Sequence, residues 1–206
     1  MSLYERWCWA PLLEYAMRQE PVMQERRKVV PRAIGRVLEV GVGSGLNLDL
    51  YERDRVDRVW ALDPSHTLLA RARTRTRREG VEVRLLAGSA EDIPFGDAAF
   101  DTVVSTFTMC SIPNLTRALG EIRRVLRRGG RLLFSEHGLS PDRPVARWQR
   151  WLSPCWCFLS GGCNVDRAIE RSIDSAGFRI LGVDAAYLPG PKLLTYTSTG
   201  TAARGS

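Results

Sequence analysis

Only two of the 30 basic residues in this 206-residue sequence are lysine, Lys28 and Lys192. Arginine takes almost every other basic position, solvated helix faces included, so the formal charge of +7 reads as residue choice rather than a groove built for phosphate. The densest basic run, "RARTRTRRE" from 71 to 79, sits at helical spacing behind an apolar stripe of Leu68, Leu69 and Ala72. It has neither a recognition motif nor interleaved aromatics, so nucleic acid is not an expected partner. Long apolar runs are also missing, none approaching the roughly 18 residues that span a bilayer. The opening "MSLYERWCWAPLLEYAMRQE" lacks a basic segment ahead of a clean apolar stretch, unlike a secretory leader. Cysteine is sparse and odd in number: Cys8, Cys110, Cys155, Cys157 and Cys163. With no C-x-x-C pair among them, the expectation is reduced thiols in a cytoplasmic protein without a structural metal.

What is present alternates between two periods. Short apolar runs at Arg36 to Val40, Arg58 to Leu62, Val81 to Ala87, Thr102 to Ser105 and Arg131 to Glu136 predict buried strands. Helical spacing occupies Leu46 to Arg53, Ser65 to Glu79 and Leu115 to Arg127, with Ser65 as N-cap of the second and "RRGG" as the stop of the third. Repeated strand–helix–strand order implies right-handed crossovers and a mostly parallel sheet covered on both faces, a doubly wound Rossmann-like α/β fold. A helix from Asp166 to Ala176 then leads to "FRILGVDAAYL" and "KLLTYTSTGTA", joined through Pro189-Gly190-Pro191 as a hairpin, so one late strand of a seven-stranded sheet is expected to run antiparallel. The length suits one domain over 1–206: a helical lid (1–35), a core (36–138), an aromatic and cysteine-rich insertion (139–165), and a last helix with terminal hairpin (166–206).

Between the first strand and the next helix lies "LEVGVGSGLN", with Gly41, Gly43 and Gly45 behind Glu39. Glycines there permit unusual backbone angles and a ligand lying on the main chain. The spacing E-x-G-x-G-x-G differs from the dinucleotide fingerprint, whose third glycine position is filled here by Leu46, so a nicotinamide-dependent oxidoreductase is disfavoured. Asp63 ends the second strand, 18 residues beyond Gly45, where a carboxylate would accept the hydroxyls of a ribose. Either acid alone is an ordinary cap or surface group. Together with the glycines, Glu39 suits a cationic ligand by charge attraction.

These motifs, with "GSAEDIPFGDAAFDTVVSTFTMCSIPN" and "EIRRVLRRGGRLLFSEHG", resemble the class I S-adenosylmethionine-dependent methyltransferases with a type 11 domain. The resemblance implies S-adenosyl-L-methionine as cofactor and S-adenosyl-L-homocysteine as product. It implies a methionine part over Gly41, Gly43 and Gly45 with Glu39 beneath and Asn47 beside it, and a ribose on Asp63 near Pro64 and Ser65. The adenine would lie near Ser89, Ala90 and Glu91, and the sulfonium near Ser105, Thr106 and Phe107. A narrower likeness, through "SEHG…ARWQRWLSPCWCFLSGGCNVDRAIERSIDSAGF", is to the thiol methyltransferase-like group and its small bacterial relatives labelled phospholipid methyltransferases. Animal members carry an apolar N-terminal anchor helix with no counterpart in this sequence, so peripheral contact with a membrane is the most that is expected.

Methyl transfer by in-line displacement needs alignment and water exclusion more than acid–base machinery. A thiol acceptor, mostly protonated at neutral pH, would still gain from a base, and His137 after the fifth strand is the candidate, the alternative being a histidine that shapes the loop through a backbone carbonyl. His66 belongs to a helix start. The acceptor pocket is expected from Tyr4, Trp7, Cys110, Trp148, Trp156, Cys163 and Asn164, covering a small lipophilic substrate. Cys155, Cys157 and Cys163 lie close in sequence; buried packing is the expectation, with arsenite methylation a remote alternative. A phospholipid headgroup amine is the alternative acceptor, a cofactor-binding module without catalysis the alternative class, and oligomeric state is not legible.

Overall fold

Residues 10–76 and 80–205 are described by the computed structural model of the chain. Seven strands form one sheet in the order β3-β2-β1-β4-β5-β7-β6. They are β1 (Gly35–Val40), β2 (Val56–Asp63), β3 (Val83–Ala87), β4 (Phe100–Thr106), β5 (Leu126–His137), β6 (Phe178–Tyr187) and β7 (Tyr196–Arg204). The first five pair in parallel, and β7 runs antiparallel to both β5 and β6, as the terminal hairpin predicts. The order reverses between β1 and β4, which puts the carboxyl ends of these two strands at the switch point where such sheets take ligands. Val37, Leu38, Val40, Val103 and Val104 in these strands are almost fully buried, because both faces of the sheet are covered and their side chains supply a separate core on each side.

Helices α1 (Ala10–Met17), α2 (Glu20–Val29), α3 (His66–Arg75), α4 (Leu115–Val125), α5 (Arg143–Leu159), α6 (Ile169–Ser175) and the single turn α7 (Lys192–Thr195) complete the chain. Ser65 caps α3 as expected, its Oγ accepting from the Leu68 N–H, and Asn114 caps α4 through the Arg117 N–H. The basic face of α3 is partly neutralised: Arg71 and Arg75 both bind Glu14 of α1, at 2.8 and 2.6 Å.

Three expectations change. The segment Leu46 to Arg53 is not an α-helix; only Leu48–Leu50 form a 3₁₀ turn, since the preceding loop spends three positive-φ glycines on turning back. The α4 helix stops at Val125, with Leu126 already extended, so "RRGG" does not end the helix. Those residues bulge from β5 instead, where the register with β4 jumps from Phe100↔Leu126 to Thr102↔Arg131. Most of the insertion after β5, whose conformation the sequence leaves open, is the 17-residue helix α5, which carries Pro154 inside it. Lys192 to Thr195 are helical rather than the start of the last strand.

Candidate active site at the carboxyl edge of the sheet

The three glycines of the first loop all have positive φ, at 72°, 55° and 83° for Gly41, Gly43 and Gly45, but they are glycine for different reasons. A Cβ on Gly41 would collide with the side chain of Thr108, and one on Gly45 with Leu48 and Ala72 of α3. A Cβ on Gly43 would meet nothing within 4 Å. Close packing adds to the positive φ at Gly41 and Gly45, whereas Gly43 is required by its φ alone and has open space beside it. Asp63 closes the loop: its Oδ2 accepts from the Gly43 N–H and its Oδ1 from the Ser65 N–H, each at 2.8 Å. Burial raises its pKa and these two bonds oppose the rise.

Beneath the loop lies a polar network sealed from solvent. Glu39, 1% exposed, accepts from Asn47 Nδ2 at 2.9 Å and from the Tyr51 hydroxyl at 2.8 Å. Desolvation pushes its pKa up to about 7 despite those bonds and the charge of Arg26. Arg26 reaches in from α2 and donates to Asn47 Oδ1 at 3.0 Å and to Thr106 Oγ1. Its guanidinium stands 5.2 Å from the centre of the Phe107 ring, and burial lowers its pKa to about 10. The α2 helix is held there by Thr199, which donates to Glu25, and by Lys28, which bridges to Asp184.

The loop after β4 is anchored from β5. Buried Glu136 accepts from the Ser105 hydroxyl and from the N–H groups of Thr108 and Met109, at 2.8 to 3.0 Å. Desolvation raises its pKa to about 8. This anchoring over-determines Phe107, a non-glycine residue at φ 53°, which is a sparsely populated conformation for a side-chain-bearing residue. The Phe107 ring faces His137, with centroids 6.3 Å apart. Past it, the turn of Gly162, Cys163 and Asn164 docks on Cys110, whose carbonyl accepts from both the main-chain and side-chain N–H of Asn164. That docking brings Cys163 Sγ to 3.0 Å from His137 Nε2 and next to Cys110, with Val165, Trp156 and Leu194 packed around them. A hydrogen bond from Cys163 holds the Cys110 thiol well below its ordinary pKa, and the same contact pushes Cys163 up. Burial works against charge on His137, but Cys110 outweighs it and the histidine is raised.

A family model described as methyltransferase domain matches residues 38–134. Phosphatidylethanolamine N-methyltransferase of Cereibacter sphaeroides is 36% identical over 170 residues, spanning 82% of this chain and 81% of that protein. Human thiol S-methyltransferase TMT1B is 31% identical, over 83% of this chain and 78% of the relative. The chain is an S-adenosylmethionine-dependent methyltransferase. Among solved structures, a putative methyltransferase of Haloferax volcanii, in complex with the Trm112 activator, superposes with a TM-score of 0.73 at 21% identity, covering 96% of each chain. Geranyl diphosphate methyltransferase in complex with SAM gives 0.71 at 16% identity, over 95% of this chain and 89% of that one. These two likenesses concern the fold.

The methyltransferase edge fits a nucleoside cofactor at Gly43, where the missing side chain leaves open space beside the Asp63 carboxylate. Gly41, Asp63, Pro64, Ser65, Ser89 and Phe107 stand along the same edge, at the carboxyl ends of β1 to β4. Other sequence candidates support it from below. Asn47, Ser105 and Thr106 are at most 3% exposed with their side chains spent inside the network. Ala90 turns into the core, and Glu91 accepts from the Asn114 N–H at the start of α4. Of the residues expected to line an acceptor pocket, Cys110, Trp156, Cys163 and Asn164 meet around His137, whose Nε2 is occupied by Cys163 rather than facing outward as a free base. The cysteines that are near in sequence do not assemble: Cys155 is exposed and Cys157 half-buried. Trp148 is not buried in this cluster; it is 57% exposed and sits edge-on to Trp151. Tyr4 and Trp7 lie outside the described residues.

Arg26, Tyr51 and Thr108 were not legible as site residues. Arg26 shares a helical stripe with Val29 and Val30, and that spacing was the available signal for its inward direction.

Proposed function

We propose that this methyltransferase binds S-adenosylmethionine over Gly43 and Asp63 and methylates a small lipophilic acceptor, with a thiol as the favoured class. The cofactor supplies a methyl group on a cationic sulfur, open to in-line displacement by an electron-rich atom. The chain's part is to hold that atom in line and keep water out. The observation that carries the thiol is the composition of the acceptor side. Residues 105–111 bring no acidic side chain of their own, and the Glu136 carboxylate that anchors them is buried and spent on Ser105, Thr108 and Met109. A guanidinium lies under the Phe107 ring, and beyond it stand Trp156, Leu194 and two buried thiols. Such an edge favours an anionic, polarisable nucleophile over an amine that is held as a cation before it loses its proton to attack. Production of S-adenosylhomocysteine against a panel of alkyl thiols, aryl thiols, phosphatidylethanolamine and arsenite tests this. Turnover on lipophilic thiols is expected; turnover confined to the phospholipid or to arsenite overturns it.

A second observation supports work at a membrane surface, where a lipophilic acceptor or a phospholipid headgroup is delivered. The outward face of α5 exposes Trp151 (74%), Phe158 (87%) and Leu159 (63%) beside Trp148, with Arg143, Arg147 and Arg150 exposed along the same helix. Aromatic residues flanked by arginines suit the interface of an anionic bilayer. Among the described residues no helix is long and apolar enough to cross one.

A further inference from the structure

Cys110, His137 and Cys163 come from three separate segments, yet their ligating atoms all lie within 4.8 Å of one another. Both thiols are buried, at 1% and 8% exposure, and neither is in a disulfide. His137 also keeps a buried Nδ1 without a hydrogen-bond partner. Each member is rigidly mounted. Cys110 follows the N–H groups that Glu136 holds, Cys163 is in the turn docked through Asn164, and His137 ends β5 in register with Thr197. Packing alone does not call for two thiols and an imidazole to converge in an otherwise apolar pocket of Val165, Trp156 and Leu194. Two sulfurs and an imidazole nitrogen converging in one pocket form a ligand set suited to soft and borderline cations.

We propose that Cys110, Cys163 and His137 bind one such divalent cation, with zinc as the reference ion. Two thiolates balance its charge, which suits a buried position. Three protein ligands leave a fourth tetrahedral position, the arrangement of catalytic rather than structural zinc. The site adjoins Phe107, hence the edge where the acceptor is placed above. Resting on that thiol reading, the open position takes the acceptor's sulfur: the thiol loses its proton to solvent on binding and remains as thiolate, ready to attack.

The full chain, phosphine-reduced and stripped by chelator, is titrated with Co²⁺ and followed by its near-ultraviolet sulfur-to-cobalt absorption. One equivalent is expected, displaced by Zn²⁺, with binding weakened about tenfold or more in Cys110→Ser, Cys163→Ser and His137→Ala. Cys110→Ala serves as a second variant at the most buried position, and affinity for S-adenosylmethionine reports that each variant is folded. Absence of the band in wild type, or its persistence in the folded cysteine variants, overturns the metal site. Adding an alkyl thiol should shift the band. A cobalt site unmoved by thiol overturns delivery through the metal, and a cobalt site in a protein that methylates no thiol overturns the acceptor reading alone.

Discussion

The carboxylate of Asp63 holds the main-chain N–H of Gly43 at 2.8 Å, so the residue expected to meet the ribose also sets the shape of the glycine loop. Asp63→Ala is therefore expected to weaken S-adenosylmethionine binding twice over. Hydrogen bonds to a charged group contribute about 1.5–3 kcal/mol each, so a loss of about tenfold to a hundredfold or more should appear in titration calorimetry. Asp63→Asn, which keeps an acceptor oxygen, should lose less. Unchanged affinity in the alanine variant would remove Asp63 from the site.

The glycines separate ligand contact from packing. Gly43→Ala points a methyl into open space, so it should abolish cofactor binding while lowering stability by only about 1–2 kcal/mol for the left-handed backbone. Gly45→Ala drives its methyl into Leu48 and Ala72 and should lower the melting temperature further. Paired thermal melts and titrations check the contrast, and equal effects in both variants would contradict it.

Arg26 is buried among Asn47, Thr106 and Phe107, with the charge of Glu39 close by. Removing one partner from a buried charged network typically costs about 3–5 kcal/mol. Arg26→Ala should approach that loss in denaturant unfolding, and Arg26→Lys should recover only part of it, because an ammonium cannot reproduce the planar contacts. A neutral outcome for Arg26→Ala would mean the network does not carry the loop.

Glu39 has a folded pKa of about 7 against an ordinary 4.5, chiefly through desolvation. Between these values the folded protein binds more protons at this site than the unfolded chain, so its contribution to stability falls as pH rises from 4.5 through 7 and is level above. The full swing is on the order of 3 kcal/mol. Glu39→Gln should flatten the pH dependence of thermal stability across that window. Affinity for the cationic cofactor should weaken as wild-type Glu39 is protonated below about pH 7, and much less so in the variant. A pH-independent difference between the two proteins would show that Glu39 stays ionised.

On α5, Trp148→Ala and Trp151→Ala remove exposed rings that meet chiefly each other. The double variant should keep its unfolding free energy within about 0.5 kcal/mol of wild type while losing sedimentation with anionic liposomes. Wild type that fails to sediment would end the membrane reading.

Five parallel strands, the glycine loop, Asp63 at the end of β2 and the methyltransferase family were legible in the amino-acid order, because strand periodicity, turn chemistry and the E-x-G-x-G-x-G spacing are local. Three things were decided only by tertiary structure. The first is why each glycine is a glycine: Thr108 and Ala72, which crowd Gly41 and Gly45, come from 67 and 27 residues away in the chain. The second is the inward turn of Arg26, since a guanidinium on a charged helix reads as solvated until β4 and the Asn47 loop close over it. The third is the cysteine grouping, in which sequence neighbours Cys155 and Cys157 stay outside the group while Cys110 and Cys163, 53 residues apart, meet at His137. Local spacing determines backbone conformation and one face of each element; which side chains share a buried pocket depends on packing between elements, and no single segment encodes it.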